Sequence, residues 1–225
     1  MIARFLVCHL IFFSGLSAAA VDQTWQRSQI LGATESGDKL LVFKSHFGPS
    51  SRAPFAQLQI LVPGTSVPVF EDGRSAFQGD ESTIIQLKND LLDAHAKRIQ
   101  DEEISLSTFE STNSIAFETD NEMVIESDLF NEGDISRFRF EFRQVNDSSC
   151  PSGVGRPLSF SWLDKTPLQT ASVSIDKYFE CNVSRYKFSR QVAIGNTIWT
   201  FVFAPTEVMP DLFFYPQIIF GLPLR

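Results

Sequence analysis

The chain is poor in the residues on which most catalytic and metal chemistry depends. It has three cysteines and three histidines in 225 residues, and Cys8 and His9 both fall within the first twenty. No C-x-x-C or H-E-x-x-H spacing occurs, so metal-site signatures are missing. Beyond residue 20 there is no G-x-S-x-G nucleophile turn. Gly153-Val154-Gly155 lacks the strand-to-helix setting of a phosphate cradle. Positive charge is scarce too: 19 Lys+Arg stand against 27 Asp+Glu, a formal charge of -8. Phosphate backbones require a basic field, so general nucleic-acid binding is excluded. No apolar run after residue 20 is long enough to cross a bilayer as a helix, and there is no internal repeat or low-complexity linker.

Apolar bulk is plentiful. Hydrophobic residues make up 43% of the chain and 22 of its residues are Phe, which rules out a disordered segment. A chain of this length buries one sizeable core, and residues 21–225 read as a single domain. Residues 1–20 read as a cleaved signal peptide: Arg4, an apolar run from Phe5 to Phe13, then Ser17-Ala18-Ala19-Ala20. Phe5 to Leu16 is too short to span ~30 Å of hydrocarbon. The expected compartment is therefore periplasmic or extracellular. Losing Arg4 takes Lys+Arg from 19 to 18 against 27 acids, a mature charge of -9.

Two cysteines remain after cleavage, Cys150 and Cys181. An even pair in an exported chain favours a disulfide. Closing a loop of about 30 residues contributes roughly 3–4 kcal/mol in the chain-entropy account. Two N-x-S sequons, at Asn146 and Asn182, lie beside these cysteines. In a eukaryotic secretory pathway both are glycan acceptors, and in a bacterial periplasm they carry no meaning.

Most of the mature chain has period two. The clearest case is Ser136 to Val145, where Phe138, Phe140 and Phe142 alternate with Arg137, Arg139, Glu141 and Arg143. Such alternation predicts a half-buried antiparallel strand with three Phe inward. About ten short strands, with turn signals every 8–12 residues, predict a mainly β fold: an antiparallel two-layer β-sandwich or jelly roll. One stretch has the other period. Ile84, Leu87, Leu91 and Ala94 predict one amphipathic helix over about residues 82–99, with Asp80 and Glu81 at its start and Lys97 and Arg98 at its end.

Three features carry candidate chemistry. The first is basic: Arg137, Arg139 and Arg143 with Glu141 on one strand face, then Tyr178, Arg185, Tyr186 and Lys187. If these strands are neighbours, they form a cationic strip with aromatic platforms, suited to carboxylates or sulfates of a glycan or an acidic surface. The bland alternative is a solvent face of cross-strand Arg–Glu pairs. The second is acidic: eleven acids and no Lys or Arg lie between Arg98 and Arg137. Within that run Asp128, Asn131, Glu132 and Asp134 surround a glycine turn with oxygen ligands for calcium, but their spacing is not that of an EF-hand. They read as solvated carboxylates, and no cofactor is expected. The third is the apolar run Asp211 to Phe220, read as a buried final strand or as an interface for a partner subunit or a membrane surface.

Arg139-Phe140-Glu141-Phe142-Arg143 resembles the R-x-E-x-R strand of jelly-roll alginate lyases over five residues. The Gln-Ile/Val-His and Tyr-x-Lys-x-Gly segments of that family are missing, and His46 and His95 both precede the strand, so membership is not assigned. The sequence thus points to an exported, non-enzymatic binding protein of β-sandwich type whose partner is a protein or a glycan. The alternative is a jelly-roll carbohydrate-active enzyme, a polysaccharide lyase or glycoside hydrolase, working through the Arg/Tyr/Lys face. Sandwiches host both.

Overall fold

A computed structural model describes residues 22–47, 53–128, 135–164, 169–175, 177–183, 185–209 and 212–223. The signal-peptide reading therefore lies outside the described residues. After β1 (Asp22–Trp25) comes a meander of β2 (Arg27–Ala33), β3 (Leu40–Phe47), β4 (Pro54–Leu61) and β5 (Phe70–Ser75). Helices α1 (Glu81–Ala94) and α2 (Ala96–Asp101) and the short β6 (Ser105–Leu106) follow. Then come β7 (Asn113–Glu118), β8 (Glu122–Asp128), β9 (Ile135–Glu141), the small pair β10 (Val145–Asn146) and β11 (Val154–Gly155), β12 (Leu158–Trp162) and β13 (Gln169–Val173). The chain ends with α3 (Lys177–Asn182), β14 (Lys187–Ile194), β15 (Thr197–Phe203), β16 (Thr206–Met209), β17 (Leu212–Tyr215) and β18 (Gln217–Pro223).

The protein is mainly β, with antiparallel sheets that pack as a sandwich. One five-stranded sheet has the order β13-β12-β9-β8-β7, and a three-stranded sheet has the order β14-β15-β18. They face each other across a core of Phe138, Phe140, Phe142, Phe160, Trp162, Ile198, Val202 and Phe220. Phe138, Phe140 and Phe142 are fully buried, as their alternation with charges predicts. The edges of the two sheets are stitched together. On one side Thr112 N–H donates to the Gln191 carbonyl at 2.9 Å. On the other, Gly64 N–H donates to Gly221 at 2.8 Å and Ser66 N–H to Ser174 at 2.8 Å.

A further layer goes beyond the two-layer expectation. A second five-stranded sheet, β5-β4-β3-β2-β6, covers the other face of the three-stranded sheet. Ile30, Leu40, Val42 and Leu61 meet Val192, Trp199, Phe201 and Ile219 there. The physical cause is visible in β15: Thr197-Ile-Trp-Thr-Phe-Val-Phe203 has no polar face, as expected of a strand covered on both sides. The outer face of the second sheet is covered by the helices, where Ile84, Leu91 and Ile99 pack on Leu41, Phe43, Leu58 and Ile60.

The helical stretch is two helices rather than one. Asp80 caps α1 with a capping box, accepting from Ser82 N–H at 2.9 Å while its own N–H donates to Thr83 Oγ1 at 3.3 Å. The break falls at His95, whose Nε2 bonds Asp72 Oδ2 of β5 at 2.8 Å and whose ring meets Phe70 edge-on. A tertiary bond, not helix propensity, sets the joint.

At one end of the sandwich the β10-β11 pair and α3 form a knob. Cys150 and Cys181 are bonded there, with Cα atoms 5.3 Å apart. Lys177 Nζ bridges Asp147 at 2.5 Å and Glu180 at 3.1 Å. Of the C-terminal apolar run, Ile218, Ile219 and Phe220 are core residues of β18.

Candidate interaction face

The outward surface of the first five-stranded sheet is built by register. Each strand turns alternate residues outward, and antiparallel partners share a face. On β9 the inward set is Phe138 and Phe140, so Arg137, Arg139 and Glu141 point out. The register then places Glu126 opposite Arg137, Val124 opposite Arg139 and Glu122 opposite Glu141 on β8. One strand further, Ile115 lies opposite Glu126 and Phe117 opposite Val124 on β7. On the other flank Ser161 faces Arg139 and Ser159 faces Glu141, with Thr170 and Ser172 beyond them on β13. At ~4.8 Å per strand, the face is about 19 Å wide. It grades from apolar through acidic and basic to hydroxyl-bearing.

The arginines are not a free cationic strip. Arg137 Nε lies 3.0 Å from Glu126 Oε1, Arg139 Nε 3.7 Å from Glu122 Oε2, and Arg143 Nη2 3.9 Å from Glu141 Oε1. The backbone N–H of Arg137 also donates to the Asp164 carboxylate. Acids on β8 meet Arg137 and Arg139 across strands, in the ladder that a solvent face favours, and Glu141 meets Arg143 along the same segment.

The second half of the expected strip lies elsewhere. Lys187 belongs to β14 of the three-stranded sheet, and Arg185 lies exposed just before it, so neither neighbours β9. Tyr178 is exposed on α3. Tyr186 corrects the reading of it as a surface platform, because it is 1% exposed. Its ring packs edge-on to Phe142 at 5.4 Å and its hydroxyl donates to the Arg156 carbonyl at 3.2 Å. Burial, with Glu180 nearby, raises its phenol pKa above the ordinary value. The sequence context Arg-Tyr-Lys concealed this, since the flanking charges are on the surface while the ring goes under the knob.

Of the calcium candidates, Asn131, Glu132 and Asp134 lie outside the described residues, and Asp128 sits at the end of β8. Among the described residues, no group of three or more His, Cys, Asp or Glu side chains is gathered as a metal site. His46 lies on β3 with its ring tilted against that of Phe55 at 4.9 Å, and His95 holds the helix joint. Asn146 and Asn182 are both exposed on the knob. Asp147 beside Asn146 is an unusually strong acid, with its pKa drawn down to about 2 by the hydrogen bond from Lys177 and then that from Ser149.

Sequence reading missed two residues that stand out here. Ile115 is 63% and Phe117 57% exposed, while the small Ser114 and Ala116 turn inward. The signal was in the hairpin: Met123 and Ile125 are the inward residues of β8, so pairing across the Asp120-Asn121 turn forces Phe117 and Ile115 outward. Compared with known protein families, curated proteins and solved structures, the chain matches none.

Proposed function

We propose that this is an exported, non-enzymatic binding protein that docks a partner protein through the outward face of the β7-β8-β9 sheet. The observation that carries the reading is the pair Ile115 and Phe117, two large apolar side chains set side by side in water on a sheet face whose charges are already paired. Removing such surface from water favours association by ~25 cal/mol per Å², and an aromatic anchor ringed by polar groups is the usual anatomy of a protein contact. The Arg–Glu ladder then supplies a rim that orients the partner without strong net attraction. The disulfide supports export into an oxidising compartment.

A glycan or polysaccharide reading finds less support. It relies on unpaired arginines beside Tyr178 or Tyr186, and the arginines have carboxylate partners while Tyr186 is in the core and Tyr178 lies on α3, outside the sheet. The lyase form of the enzyme alternative further needs a histidine near Arg139 and Glu141, whereas His46 and His95 belong to the other five-stranded sheet and its helices.

The test is site-directed photo-crosslinking in the native exported fluid, with a photoreactive residue at position 117 or, as control, at the exposed helix position 97. The expected result is a discrete cross-linked partner from position 117 that is lost on adding Ile115→Ser. Identical products from both positions would overturn the reading.

A further inference from the structure

The two sequons are not used by the docking face, and the structure gives them a common address. Asn146 lies on β10, four residues before Cys150, and Asn182 immediately follows Cys181. The disulfide, with its 5.3 Å Cα separation, draws both segments into one knob. The Lys177–Asp147 bridge ties them a second time, through the middle residue of the first sequon. Both asparagines are exposed. Of the seven asparagines in the chain, these two alone head N-x-S/T triplets, and both fall on this knob. Two scattered chance triplets would not be expected to meet at one end of the molecule.

We propose that Asn146 and Asn182 carry N-linked glycans, attached in a eukaryotic secretory pathway, and that the disulfide knob is a glycan-covered end. In the transfer, the Asn Nδ2 forms a bond to the anomeric carbon of a lipid-diphosphate-linked oligosaccharide. The bond from that carbon to the diphosphate oxygen breaks, the lipid diphosphate leaves with the electron pair, and Nδ2 loses a proton. An acceptor must stand clear of the core to carry so bulky and hydrated a group. Asn182 Nδ2 donates to the Tyr178 carbonyl at 2.7 Å, and glycosylation leaves that nitrogen one N–H for the bond. The proposal requires export but not the docking reading.

The experiment is intact-mass analysis of the protein from its native source, before and after enzymatic removal of N-glycans. The expected mass exceeds the mature polypeptide by two glycans, and the enzyme removes both. In a secreting eukaryotic host, Asn146→Gln and Ser148→Ala should each remove the first glycan, and Asn182→Gln and Ser184→Ala the second. The serine variants keep the asparagine, so their loss separates missing attachment from a folding fault. A native exported chain with the bare polypeptide mass overturns the proposal while leaving the docking reading intact. A glycan at one site only overturns the two-glycan cap.

Discussion

At the scale of single residues, position on a strand decides worth more than residue type does. Phe140 and Phe117 are the same side chain on neighbouring parts of one sheet, yet one is fully buried and the other 57% exposed. Phe140→Ala should cost about 3–5 kcal/mol through lost burial and a cavity, and Phe117→Ala within about 0.5 kcal/mol. Denaturant titration of both variants measures the contrast. Lys44 is the opposite case: a charged residue, 8% exposed, on the β3 face it shares with Leu40 and Val42. Burial pushes its pKa down from 10.5 to about 8, against the pull of Glu71. The unfolded chain, with the higher pKa, holds this proton more tightly. The folded state therefore carries a penalty that is full below about pH 8 and fades as pH rises to 10.5. Lys44→Met should stabilise the protein by up to roughly 3 kcal/mol at pH 7, with the gain over wild type shrinking across that window. Equal gain at pH 7 and pH 10.5 would contradict the assignment.

At the scale of elements, local pattern was legible wherever one face meets water. Arg137 to Phe142 alternates because one side of β9 is core and the other solvent, and Ile84 to Leu91 keeps helical spacing because α1 covers a sheet. The break at His95 was not legible, because its cause is Asp72 on β5, which no helical pattern encodes. Nor was the lock between two hairpin turns. Gly37, at φ +77°, and Gly195, at φ +52°, dock against each other's turns, and Trp199 Nε1 donates to the Gly37 carbonyl at 3.2 Å. A Cβ on Gly195 would sit 2.4 Å from the backbone of Ser36, whereas one on Gly64, also at positive φ, would meet nothing within 4 Å. Gly195→Ala should therefore cost at least about 2 kcal/mol and Gly64→Ala about 1 kcal/mol, the strain alone. Equal losses in thermal melts would show that the turns do not interlock.

At the scale of the molecule, three sheets and a helical layer stack on alternating apolar faces. A buried chain of hydrogen bonds, Ser114 to Ser127 at 2.7 Å, Ser127 to Gln191, and Gln191 to Thr200 at 3.0 Å, holds the sandwich edges in register. Buried polar groups that are all partnered of this kind specify one arrangement more than they add stability. The basic strip was half legible: the arginines were found, but their partners on β8 and the burial of Tyr186 depend on which strands are neighbours, and that is a global property. Contact between the β7-β8-β9 face and a partner is read directly by hydroxyl-radical labelling. The purified protein would be compared with the same protein in the fluid of its native source, using Phe77, 88% exposed in the loop before α1, as the internal reference. Strong labelling of Ile115 and Phe117 when purified, and several-fold protection relative to Phe77 in the fluid, is the predicted result. Unchanged labelling of Ile115 and Phe117, with protection appearing on another face, would contradict it.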